Sequence, residues 1–134
     1  MVRLPARLML AFACSSFAAI AALADPPPNA DPVLAPWFQS QKVPGTAVSC
    51  CDVSDGRAVD YRIRGDHYEV YLTKESFPWI HEEGWKAVDP RSVLTGQDNP
   101  TGRAIAWVAK NEYTFHDRYF APGSVMCFKP PSQV

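Results

Sequence analysis

Between residues 59 and 73, apolar and polar side chains alternate in two successive runs. Val59, Tyr61 and Ile63 alternate with Asp60, Arg62 and Arg64, and Tyr68, Val70 and Leu72 alternate with His67, Glu69 and Tyr71. Successive side chains of a strand point to opposite faces, so each run predicts a strand with one buried face. Gly65-Asp66 lies between them, a two-residue loop with glycine first, as a type II′ hairpin turn prefers. That turn sets the register. Arg64 faces His67, Ile63 faces Tyr68, Arg62 faces Glu69, Tyr61 faces Val70 and Val59 faces Leu72. Apolar meets apolar, and Arg62 meets Glu69 on the wet face; such pairs contribute about 0.2–1 kcal/mol each. A slip of one residue would turn every side chain to the wrong face.

Weaker patterns follow. Gly84-Trp85-Lys86-Ala87-Val88 predicts a short strand stopped by Asp89-Pro90, with a helical turn over Ser92-Val93-Leu94. Residues 103–109 are nearly all apolar, as in a central strand, and residues 125–128 predict the last strand. Residues 110–124 between them read as a long loop, and residues 37–41 as a turn of helix over one end. The expected fold is mainly β: a small antiparallel curled sheet or SH3-like barrel of about five strands, with a short N-terminal helical turn.

The opening residues follow another pattern. Arg3 and Arg7 precede an uncharged run of 16 residues, 8–23, and Ala22-Leu23-Ala24 offers the small-x-small pattern of a cleavage site before Asp25. These parts, in this order, predict a secretory signal peptide over residues 1–24. The run is short for a bilayer span, which needs about 20 residues. Cys14 lies within the apolar run rather than just after the cleavage point, which disfavours a lipoprotein. Prolines cluster at both ends of what remains, and proline favours extended, solvated chain. The expected organisation is therefore a proline-rich tether over 25–36, a single β domain over 37–129 and a flexible tail over 130–134. The expected location is periplasmic or secreted, with no membrane span after cleavage.

Cleavage changes the charge. Thirteen basic side chains fall to eleven with the loss of Arg3 and Arg7, all fourteen acids stay, and the net charge moves from −1 to −3. That balance argues against a nucleic-acid binder, which normally shows a basic stripe, and gives no reason to expect an anionic membrane as partner. The remaining 110 residues make one domain that can build a core unaided.

Cleavage also leaves three cysteines, Cys50, Cys51 and Cys127. An oxidising compartment favours disulfides, and an odd count leaves one thiol over. Either Cys50 or Cys51 can pair with Cys127. A bond between the two neighbours is disfavoured, because adjacent side chains in extended chain point apart. A bridge to Cys127 closes a loop of about 77 residues, worth about 4–4.5 kcal/mol in the chain-entropy model. The spare cysteine can be a buried orphan or link two chains in a disulfide-bonded dimer. It can also be reactive, but it has no Cys-x-x-Cys partner and no nearby histidine to lower its pKa.

Several runs carry a resemblance: Trp37-Phe38-Gln39-Ser40, Gly45-Thr46, Ser49-Cys50-Cys51-Asp52, Asp98-Asn99-Pro100-Thr101-Gly102-Arg103 and Cys127-Phe128. In these runs the chain resembles an uncharacterised family of small exported Gram-negative bacterial proteins, over most of residues 37–129. The family pattern has a further cysteine in an Asp-Cys-Arg run, where this chain has Asp55-Gly56-Arg57. The resemblance implies a two-bridge framework with one bridge missing here. It carries no activity.

The remaining signals have structural explanations. His67, His81 and His116 stand apart with no ligand-pair spacing, so no metal is expected. Asp52 and Asp55 could clasp calcium, but Asp-Gly is more often a turn. Arg64-Gly65-Asp66 spells an adhesion tripeptide whose glycine and aspartate the hairpin turn already needs. Asn99-Pro100-Thr101 has proline where glycosylation excludes it. No Gly-x-Ser-x-Gly context is present, and no catalytic residue or cofactor is expected. The candidate recognition loop is residues 110–124, with Tyr113, Phe115, His116, Arg118, Tyr119 and Phe120, since long loops in compact domains commonly carry function. The functional expectation is a non-enzymatic envelope module that binds a protein or a cell-wall polymer through that loop. The alternative is a thiol- or redox-active periplasmic protein using the unpaired cysteine.

Overall fold

The structure is a computed structural model and describes residues 31–132 except Gln97. The expected signal peptide and the first half of the tether lie outside the described residues. Among the described residues the domain is mainly β, with eight strands in three small antiparallel sheets and no closed barrel. Five strands were expected; the other three are β1 (Gly56–Ala58), β6 (Tyr113–Phe115) and β7 (Arg118–Phe120).

The centre is the sheet β1-β5-β8, with β5 at Ile105–Val108 and β8 at Val125–Lys129. All residues of β5 and β8 are buried, because both faces of this sheet are covered. Ile105 and Trp107 point to one face, and Ala104, Ala106 and Val108 to the other, as the two-residue period of a strand requires. On the Trp107 face lie α1 (Ala35–Ser40) and α2 (Cys50–Val53), which contribute Phe38, Cys50 and Val53. On the Ala106 face lies the second sheet, of β2 (Asp60–Arg64), β3 (His67–Leu72) and β4 (Gly84–Ala87), contributing Val70 and Leu72, with Val88 just after β4. Residue 126 is the extra residue of a bulge, since Cys127 faces Trp107 while Val125 faces Val108.

The hairpin of β2 (Asp60–Arg64) and β3 (His67–Leu72) has the expected register, from Arg64 opposite His67 to Asp60 opposite Tyr71. Gly65 has φ +63° and Asp66 a negative φ, as type II′ requires. Two features differ. Val59 leaves the ladder, its N–H donating to the Ala104 carbonyl at 3.0 Å, so it does not pair with Leu72. The expected buried face is also buried only at its base, since Ile63 is 63% and Tyr61 40% exposed. Phe128 supports Tyr68 at 5.1 Å and Tyr61 at 6.3 Å, and the turn end of the hairpin extends past it.

β4 (Gly84–Ala87) falls on the expected strand, while the helical turn falls earlier than expected, at Pro90–Ser92. Asp89 caps that turn, accepting the Arg91 N–H at 2.8 Å. Residues 32–34 form a 3₁₀ turn that runs into α1, so the end of the tether is helical. Pro130 and Ser132, assigned by composition to the tail, are held by Asn99: its side-chain amide donates to the Pro130 carbonyl at 3.0 Å, and its N–H to Ser132 Oγ at 2.9 Å.

Gly56 lies under the Trp107 indole, and a β-carbon there would sit 2.7 Å from the ring. A fully buried tryptophan cannot move aside without disturbing its neighbours. Gly56→Ala is expected to cost about 1–3 kcal/mol, seen as a lower urea midpoint; an unchanged midpoint would show that the ring has room to shift.

Candidate recognition surface

Residues 110–124 are a β-hairpin rather than an irregular loop. The base is closed by Ala109 N–H to the Ser124 carbonyl at 2.8 Å and Gly123 N–H to the Ala109 carbonyl at 2.9 Å. Tyr113 faces Phe120, Thr114 faces Tyr119 and Phe115 faces Arg118. Directly opposite residues share a face, so Tyr113, Phe115, Arg118 and Phe120 point one way while Thr114 and Tyr119 point the other.

That alternation sorts the six sequence candidates. Phe120 is buried in the Trp107 cluster, and Tyr113 and Phe115 pack against it with their rings stacked 6.1 Å apart. The Tyr113 hydroxyl donates to the Val53 carbonyl at 3.1 Å. These three anchor the hairpin to the core. His116 and Tyr119 are exposed, Tyr119 by 61%. The Glu112 carboxylate, through a hydrogen bond, pushes the Tyr119 phenol above its usual range. His116 has φ +53° and is the one non-glycine residue with positive φ among the described residues. Histidine tolerates that region better than most side chains but is less at ease there than glycine.

Arg118 joins the hairpin to the body. Its guanidinium donates to the buried Ser92 Oγ at 2.7 Å and to the Arg91 carbonyl at 3.1 Å, and lies over the Phe120 ring at 4.6 Å. Burial lowers its pKa, though arginine stays charged at any ordinary pH. Arg91 pairs with Asp89 at 2.9 Å and reaches Asp117 at 3.9 Å. The Arg91 hydrogen bond holds the Asp89 carboxyl below the usual range.

This ridge of paired charges separates two open clefts. One, of about 560 Å³, runs between β4 and β7 and is lined by His81, Glu82 and Lys86 on one side and by Arg118 and Tyr119 on the other. The other, of about 530 Å³, lies between the hairpin tip at His116 and the turn at Pro44-Gly45. Among the described residues, no group of three or more His, Cys, Asp or Glu is gathered to hold a metal ion. Ser92, Asp89, Arg91 and Lys86 were not among the residues expected at this surface. The Asp89-Pro90 cap was a legible signal for the first three; the placement of β4 beside β7 was not.

The cysteines lie elsewhere, on the Trp107 face. Cys50 is bonded to Cys127, with Cα atoms 6.3 Å apart, and Cys51 is the free thiol. Ser49 caps α2 by accepting the Cys51 N–H at 3.3 Å, and the helical turn rotates Cys51 away from Cys50. The Cys51 thiol donates to the Phe38 carbonyl at 3.3 Å and accepts the Trp107 indole N–H at 3.4 Å. Burial raises its pKa most; the indole bond lowers it, and the Asp55 and Asp52 charges add to the rise.

Only the thiolate attacks electrophiles, so native Cys51 is expected to react with iodoacetamide more slowly than glutathione at neutral pH. In denaturant it should reach the rate of an ordinary thiol. With its folded pKa above the unfolded one, the thiol's contribution to stability is complete below the ordinary thiol range. That contribution falls as pH rises through that range. Alkylation of the native protein as fast as glutathione would contradict this environment. Compared with protein-family models, curated proteins and solved structures, the chain matches none.

Proposed function

We propose that this is an exported envelope protein whose β domain is a non-enzymatic binding module, with the β6–β7 hairpin as one wall of its site. The observation that carries the reading is the 560 Å³ cleft beside Tyr119 and Arg118. An aromatic ring left 61% exposed on a hairpin that is otherwise anchored by three core aromatics is a rigid, amphipathic contact. Such side chains provide contact area at low entropic cost. The mixed charges around it suit a polar partner, either a protein or a cell-wall polymer, and give no preference for nucleic acid.

Export is supported by the order of charged, apolar and small residues over 1–24 and by the Cys50–Cys127 bridge, a bond favoured in oxidising compartments. No helix among the described residues is long and apolar enough to cross a membrane. The thiol alternative is opposed by the surroundings of Cys51, where burial raises the thiol pKa against the lowering indole bond, and the Asp55 and Asp52 charges add to the rise.

The test compares the wild type with Tyr119→Ala, in capture from envelope extract and in sedimentation with cell-wall sacculi. Tyr119 points away from the core, so the variant should keep its thermal midpoint within a few degrees. It should lose at least about tenfold in partner binding, as expected for an exposed aromatic anchor. Undiminished binding by Tyr119→Ala would remove the hairpin from the site.

A further inference from the structure

The β2-β3-β4 sheet has β2 at its edge, and that edge has an unusual composition. Val88 N–H donates to the Tyr68 carbonyl at 2.8 Å, so the backbone polar groups of Tyr68 point towards β4. Ile63 lies directly opposite Tyr68 and Tyr61 opposite Val70. In an antiparallel ladder, bonded and non-bonded pairs alternate. The N–H and C=O groups of Ile63 and Tyr61 therefore point away from β3, off the edge of the sheet. Val59 has the same parity, and its outward N–H is taken by the Ala104 carbonyl. Beyond it, no hydrogen bond among the described residues reaches the outward groups of Tyr61 or Ile63. These two residues also expose apolar side chains on one face.

The five residues of β2 are Asp60-Tyr61-Arg62-Ile63-Arg64. Laid antiparallel to itself about Arg62, this sequence is complementary. Tyr61 meets Ile63 twice as bonded pairs, with all four outward groups of each strand satisfied. Asp60 meets Arg64 at each end. Asp60 has no ion-pair partner among the described residues, and Arg64 has only a 3.4 Å contact to Glu69. The two central arginines are each already neutralised by their own Glu69, and Arg62 also lies over Trp85 at 4.0 Å. Other registers are poorer. Sliding towards the turn sets Arg62 against Arg64 twice and carries Tyr61 past the ladder to the turn residue Gly65, and sliding the other way requires the Val59 N–H that the Ala104 carbonyl holds.

We infer that β2 is the contact surface for a second copy of this chain, paired antiparallel about Arg62 to make a continuous six-stranded sheet. The contact is isologous, as a two-fold dimer requires, and it is non-covalent. A contact of five residues on each side is small, so the dimer is weak and forms at high micromolar concentration. Edge strands that stay monomeric usually carry charges that repel a like strand; here the charges at the ends attract.

Sedimentation equilibrium of the purified protein up to about 1 mM tests the pairing. The wild type should dimerise, and Asp60→Arg or Arg64→Asp alone should weaken the dimer at least about tenfold by setting like charges opposite each other. The double variant D60R/R64D restores opposite charges and should return to within about threefold of the wild type. A non-reducing denaturing gel should show monomer. The inference is overturned by a wild type that stays monomeric, single variants that dimerise as tightly as it does, a double variant that does not recover, or a dimer that survives on the gel.

Discussion

Trp107 is the residue on which the rest of the domain depends. It lies on the central strand β5, fully buried, with the flat side of Gly56 beneath its ring. Phe38 stands against it at 6.0 Å and Trp37 at 6.4 Å, and its cross-strand partner is the bonded Cys127. One indole therefore gathers the first helix, the edge strand β1 and the disulfide. Truncating a buried tryptophan typically costs about 3–5 kcal/mol. The constraint also works outward. Because the ring fills the space above residue 56, only glycine fits there, and because its N–H needs an acceptor, the Cys51 sulfur is held beside it.

The same frame positions the exposed chemistry. Phe120 inserts into the Trp107 cluster, and Phe120, Phe115 and Tyr113 together fix a hairpin that would otherwise be a free loop. Arg118 ties the hairpin to the buried Ser92. The outward-facing Tyr119 is consequently presented from a rigid base, which lowers the ordering cost of binding. Cys51 is held by the same frame in the opposite sense. It is half-buried, its sulfur is held between the Phe38 carbonyl and the Trp107 indole, and that setting is what separates it from thiol chemistry.

Where hydrophobic alternation and turn chemistry agreed, the sequence was readable. The β2–β3 register follows from Gly65-Asp66 and the pattern around it. The faces were less legible, because alternation identifies which residues share a face but not how far the supporting sheet extends; Ile63 lies beyond Phe128 and stays wet. The β6–β7 hairpin has the same period, with Tyr113 and Phe115 before the turn and Arg118 and Phe120 after it. It was hidden by a turn without glycine or asparagine, since His116 takes the positive φ itself. The choice between Cys50 and Cys51 depended on the Ser49 cap, which turns one sulfur to Cys127 and the other to Trp107. The cleft required β4 to lie beside β7, a tertiary placement that no local pattern encodes.

The most direct test of this account is mass mapping of the protein isolated from the cell envelope, alkylated before any reduction and then digested. A cross-linked peptide pair joining Cys50 to Cys127, with Cys51 recovered as a single thiol that alkylates more slowly before denaturant is added than after, is the predicted result. Recovery of Cys51 in a disulfide, with Cys127 or with a second chain, would contradict the central role given to Trp107 and the cysteines around it.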